Sequence, residues 1–112
     1  MMELEMFISK HIDDYNNHNV DALVSAFAND IKIHNLDTGE LLMEGREKIR
    51  EYYAEKFEYP KLYSELLERI IIGDKVIDKQ VFTSEADTMM IHAVTIYYFK
   101  DNLIQDVWFV FE

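Results

Sequence analysis

The sequence predicts an α+β fold, a curved antiparallel sheet with three helices of the N-terminal half packed on its concave face. Three observations point there. The first half carries amphipathic helical stripes, the second half carries strand-length apolar runs separated by turn residues, and no linker, repeat or low-complexity tract divides the 112 residues. A chain of this length with 49% hydrophobic residues makes one core, so a single domain over residues 1–112 is expected.

From Glu3 to Tyr15, Leu4, Phe7, Ile8, His11, Ile12 and Tyr15 fall on one helical stripe, which the polar run Asn16-Asn17-His18-Asn19 should end. Asn19 reads as the N-cap of a short second helix, with Asp21 in its first turn, Ala22, Leu23, Ala26 and Phe27 inward, and Asn29-Asp30 as its stop. Ile31–Asn35 alternates like a half-buried strand, Asp37-Thr38-Gly39 is a turn, and Leu41–Glu44 is a short returning strand. Arg46–Phe57 repeats the helical signal with Ile49, Tyr52, Tyr53 and Phe57 on one side, and Pro60 prevents its continuation. Leu62–Ile72 mixes helical and strand propensity; its Ile70-Ile71-Ile72 end favours a strand. Gly73-Asp74 then turns the chain into Lys75–Thr83, and Ser84–Thr88 turns it again into an apolar hairpin, Met89–Phe99 and Leu103–Phe111, joined by Lys100-Asp101-Asn102.

That hairpin is apolar on both faces. The odd-numbered set Ile91, Ala93, Thr95, Tyr97, Val107, Phe109 and Phe111 is expected inward. His92, Val94, Ile96, Tyr98, Ile104, Trp108 and Val110 then face away from the helices. An outward apolar face of that extent implies a second copy, and a homodimer anchored by Trp108 is expected.

Composition excludes several functions. Twenty-two acidic against eleven basic side chains give a net charge of −11, the wrong sign for nucleic acid or an anionic membrane surface. Zero cysteines remove disulfides, thiolate metal sites and cysteine nucleophiles. His18, His34 and His92 show no ligand spacing, the glycines are isolated, and neither a metal nor another cofactor is expected. The first ten residues lack a basic region followed by a long apolar one, so the cytoplasm is the expected location.

Three local phrases give the chain a family resemblance: Asn19-Val20-Asp21-Ala22-Leu23 with Phe27-Ala28-Asn29-Asp30, then Glu44–Tyr53, then Asp101–Trp108. Together with the element order they resemble the nuclear transport factor 2-like superfamily, in its SnoaL-like and ketosteroid-isomerase-like branch. The resemblance implies a cone-shaped, cystatin-like barrel around a largely apolar pocket, and relatives that include isomerases, cyclases, dehydratases, hydrolases and non-catalytic binding proteins. It also implies where an isomerase would keep its chemistry. Gapless matching puts the family's helix tyrosine at His11, its base at Asn35 and its late-strand acid at Thr95. None of the three is the family residue, and an amide cannot take a proton from carbon. Asp37, two residues beyond Asn35, would substitute only if the loop were shifted, and its turn context favours a structural role.

The residues themselves offer a different pair. In Lys75–Phe82, Lys79 is poorly placed in an apolar pocket, which sends Val76, Asp78, Gln80 and Phe82 to the inner face. A desolvated carboxylate is the kind of group that serves as a general acid or base, so Asp78 with His11 on the first helix is the candidate catalytic pair. Tyr15, Asn35, Tyr53, Gln80, Thr95, Tyr97 and Phe109 are the candidate ligand-binding residues. Two functions remain open: a pocket for a small hydrophobic or amphipathic organic molecule with cofactor-free acid–base catalysis, or a non-catalytic binding or interaction module of the same fold.

Overall fold

The computed structural model describes residues 3–83 and 90–112, in the order α1 (Leu4–Asn16), α2 (Val20–Ser25), β1 (Phe27–Asn35), β2 (Leu41–Glu44), α3 (Arg46–Lys56), β3 (Tyr63–Ile72), β4 (Lys75–Thr83), β5 (Met90–Lys100) and β6 (Leu103–Phe111). The expected turn Ser84–Thr88 and Met89 lie outside the described residues. All six strands form one sheet in the order β2-β1-β6-β5-β4-β3.

The meander β3 to β6 is antiparallel, as expected, but β1 joins it by pairing parallel to β6, with Ile33 opposite Val107 and Asn35 opposite Phe109. This makes the sheet mixed. With β2 at one edge and β3 at the other it curves without closing, so the expected barrel is an open half-cone.

Each helix has a local cause. The α1 stripe buries Ile8, His11 and Ile12, and the helix ends at Asn16 with His18 in a left-handed conformation, φ 57°. Asn19 caps α2 by accepting from the Ala22 N–H at 3.2 Å. That helix is shorter than expected. Phe27-Ala28-Asn29-Asp30 is already strand, because Phe27 pairs with Ile104 and the Ala26 carbonyl accepts the Ile104 N–H at 2.8 Å. Tertiary pairing here overrides the polar stop. Helix α3 starts after Gly45, whose φ of 93° suits glycine, and Arg46 reaches back to donate to the Phe27 carbonyl.

The helices and the concave face share one core, which includes Ile8, Ile12, Phe27, Ile31, Ile33, Ile49, Val76, Tyr97, Phe99, Ile104 and Val107. Ile104 corrects the expected parity. Tyr98 pairs with Asp106 and Phe99 with Ile104, so Gln105 is an extra residue; it turns Ile104 inward, where it is fully buried. A second bulge lies in β3, where Leu66 pairs with Gln80 but Glu68 with Lys79. The extra residue, Leu67, moves Arg69 onto the face shared by Asp78, its cross-strand partner.

Candidate functional site

The strand parity expected for β4 holds: Val76, Asp78 and Gln80 are buried and Lys79 is exposed. What surrounds Asp78 differs from expectation. Arg69 forks onto it, Nε to Oδ1 at 2.6 Å and Nη2 to Oδ2 at 2.9 Å, while Nη1 donates to the Ser9 hydroxyl of α1 at 2.9 Å. The two side chains are 7% and 0% exposed, so this is a buried, bidentate ion pair. Asp78 is held as the counterion of a guanidinium and does not line the cavity.

The cavity lies further along the concave face. Its inner chamber, about 40 Å³, is lined by His11, Tyr15, Tyr53, Ser64, Gln80 and Tyr97 among apolar neighbours such as Phe27, Ile33 and Phe109. It opens into a wider mouth of about 530 Å³, lined among the described residues by Leu42, Met43, Tyr52, Lys56, Phe82, Ile91 and Phe111. Tyr15, Ile33, Tyr53, Phe82 and Phe109 belong to both and form the throat. Tyr15 packs edge-on against Tyr53, Phe57 and Phe82, which fixes its ring there.

A chain of hydrogen bonds forms the chamber's polar wall. The Thr95 hydroxyl donates to Gln80 Oε1 at 2.6 Å, Gln80 Nε2 donates to Ser64 Oγ at 2.9 Å, and the Ser64 backbone is clamped by the Asn16 amide. Gln80 is thereby oriented by both ends of its amide. Thr95 sits behind it as a positioning group, buried but outside the cavity lining.

Among the described residues, no charged group lines the inner chamber. His11 is 7% exposed, in edge contact with Phe27 and Tyr97, and burial lowers its pKa from 6.5 to about 4 despite the opposing pull of Asp14. Burial pushes the phenols of Tyr15, Tyr53 and Tyr97 well above the usual tyrosine range. At neutral pH the wall is therefore an imidazole, three phenols, an amide and a hydroxyl, all uncharged.

Of the residues expected from sequence, the structure brings His11, Tyr15, Tyr53, Gln80, Tyr97 and Phe109 together. Asn35 stays out. Its side chain accepts the N–H groups of Asp37 and Thr38 at 2.9 and 3.2 Å, a turn role that also keeps Asp37 exposed. Sequence reading missed Ser64, Phe82 and Ile33. Ser64 was masked by the mixed propensity of its segment, whereas Phe82 and Ile33 follow from alternation with Gln80 and with the β1 core positions. Among the described residues no group of three His, Cys, Asp or Glu side chains could hold a metal ion, and no helix is long and apolar enough to cross a membrane.

The neutral His11 has a consequence for stability. Its pKa is about 4 folded and near 6.5 unfolded, so between those values the unfolded chain binds more protons and stability falls as pH falls. The loss should reach about 2 kcal/mol between pH 6.5 and 5. Thermal melts across that range should show it, and His11→Phe should flatten the slope; equal slopes for both proteins would contradict a buried neutral imidazole.

Comparison with known proteins agrees with this architecture. The profile of the SnoaL-like domain matches residues 8–107. Among solved structures, a cystatin-fold protein from Novosphingobium aromaticivorans superposes with a TM-score of 0.87 at 24% identity, covering 97% of this chain and 98% of that one. An NTF2-like protein from Cytophaga hutchinsonii gives 0.84 at 12% identity, covering 100% and 92%. A candidate ketosteroid isomerase from Kribbella flavida gives 0.81 at 17% identity, covering 96% and 76%. No curated protein matches the sequence. At these identities the superpositions establish the fold, and the profile match establishes the family: the chain belongs to the SnoaL-like domain family.

Proposed function

We propose that this domain binds a small, uncharged organic molecule with an apolar body and one polar end. The observation that carries this reading is the two-part cavity. A mouth of about 530 Å³ has the volume of a small-ligand site, and its lining is mainly apolar and aromatic. The inner chamber of about 40 Å³ compares with roughly 10–15 Å³ needed for one water, so it admits a polar group of a few atoms and no more. An anionic head would meet an uncharged wall in a chain of net charge −11, and desolvating it there would be costly.

Binding is favoured over acid–base catalysis. Asp78 is neutralised by Arg69, Asn35 and Asp37 are outside the cavity, and His11 with a pKa of about 4 is a weak base and a poor reservoir of protons at neutral pH. The catalytic pairing of Asp78 with His11 would need Arg69 displaced. Nile red, a neutral dye brightened by apolar surroundings, should bind with enhanced emission, and Met43→Trp at the mouth should weaken it at least about tenfold by filling the space. No enhancement, or an unchanged affinity in the variant, would contradict the reading.

We further propose that the domain acts as a homodimer through its convex sheet face. Ile70, Ile77, Ile96 and Trp108 are successive cross-strand partners over four strands, with His34 beyond, stacked on Trp108 at 5.1 Å. Val94 and Val110 add a neighbouring row, and the helices pack on the other face. Apolar area there would contribute roughly 25 cal/mol per Å² before association costs. Trp108→Glu should shift the mass in light scattering from dimer to monomer; a monomer for both proteins would remove the dimer.

A further inference from the structure

The polar run Asn16-Asn17-His18-Asn19 ends α1 as expected, yet two of its side chains reach the segment that brings Leu62 and Ser64 to the cavity. Asn16 meets Ser64: its Nδ2 donates to the Ser64 carbonyl at 2.9 Å and its Oδ1 accepts the Ser64 N–H at 2.7 Å. Because β3 is an edge strand, its outer backbone groups lack a neighbouring strand. The Asn16 amide supplies at Ser64 the reciprocal pair of bonds that such a strand would make. His18 meets Leu62, with Nε2 2.7 Å from the Leu62 carbonyl. A carbonyl only accepts, so Nε2 carries the hydrogen. The same imidazole lies flat on Phe57, 5.1 Å between centroids and 9° between planes, and Phe57 packs edge-on against Tyr15 at 5.6 Å.

We propose that Asn16 and His18 are positioning residues that set the cavity's specificity, Asn16 for the ligand's polar end and His18 for its apolar body. This rests on the binding reading above. Ser64 lines the inner chamber, Leu62 the mouth, and Tyr15 both. Ser64 is the second residue of β3, and strand ends are restrained least by their own pairing. The connector before it is held internally by the Tyr59 N–H on the Lys56 carbonyl and the Leu62 N–H on the Tyr59 carbonyl, and it contains Pro60, which donates nothing. Those bonds shape the connector, while Asn16, His18 and the Phe57 ring attach it to the end of α1.

The two contacts act on different parts of a ligand. Ser64 Oγ accepts from Gln80 Nε2 at 2.9 Å, and both residues line the chamber, so releasing the Ser64 backbone slackens the polar wall there. An apolar molecule of the same shape makes no hydrogen bond with that wall and is indifferent to the change. His18 acts instead on apolar groups, on Leu62 directly and on Tyr15 through Phe57. These border the mouth and throat, where every ligand buries its body whatever its polar end.

The test uses 2-naphthol and 2-methylnaphthalene, which share a body and differ by a hydroxyl in place of a methyl, in displacing Nile red from the intact protein at pH 7. The wild type should prefer the naphthol, and Asn16→Ala should cut that preference about three- to tenfold while the methylnaphthalene binds as before. His18→Asn keeps a residue that tolerates the left-handed φ of 57° and removes the ring. It should weaken both probes alike, about three- to tenfold, with the preference intact. A wild type that binds both probes equally, an unchanged preference in Asn16→Ala, or unchanged affinities in His18→Asn would overturn the inference while leaving the binding reading intact. No displacement by either probe would overturn both. Nuclear magnetic resonance of the wild type gives a reading that does not depend on a variant folding. The Ser64 amide should exchange slowly despite its place on an edge strand, and the Asn16 side-chain amide resonances should move more with the naphthol than with the methylnaphthalene. Exchange of Ser64 as fast as an exposed turn amide, or equal movement with both probes, would overturn the assignment.

Discussion

Among the described residues, the concave face of the sheet carries one carboxylate at 0% exposure, Asp78, and the structure depends on how that charge is met. An isolated buried carboxylate would cost several kcal/mol. The bulge at Leu67 removes the problem by rotating Arg69 inward across from Asp78, and Ser9 of α1 takes the remaining guanidinium donor. One irregular residue in β3 therefore links the sheet to the first helix. It also separates the molecule's buried charge from its cavity, and the chamber beyond is left to neutral groups.

That separation explains why the cavity looks unlike an acid–base site although its fold is shared with proteins named for isomerase and cyclase chemistry. Here the first helix and β4 deliver His11 and Gln80 to the cavity, with Thr95 behind Gln80. Thr95 and Gln80 are spent on each other and on Ser64, which rigidifies the polar wall. Among the described residues, His11 Nδ1 is the one fully buried side-chain nitrogen or oxygen without a hydrogen-bond partner. A fold conserves the directions in which side chains point, and the side chains at those positions decide the chemistry.

Much of this was legible in the sequence because side-chain period is a local property. Alternation along β4 identified Asp78 and Gln80 as buried and Lys79 as exposed, and the helical stripe identified His11 and Tyr15. The failures came from single extra residues and from long-range pairing, which no local pattern encodes. Leu67 hid the Arg69 partner of Asp78, Gln105 reversed Ile104, and the parallel pairing of β1 with β6 drew Phe27–Asp30 out of the second helix. The Arg69 bulge had a faint signal: regular alternation would have put Glu68, on the face of Asp78, where two carboxylates would repel.

The most direct measurement of the central claim, that Asp78 serves as the counterion of Arg69 and leaves the cavity neutral, is chemical denaturation of three proteins paired with Nile red binding. Asp78→Ala should cost about 3–5 kcal/mol by stranding the guanidinium, and the double variant Asp78→Leu/Arg69→Met should recover most of that while still binding the dye. A double variant that folds with native stability but no longer binds, or an Asp78→Ala protein as stable as the parent, would contradict the account.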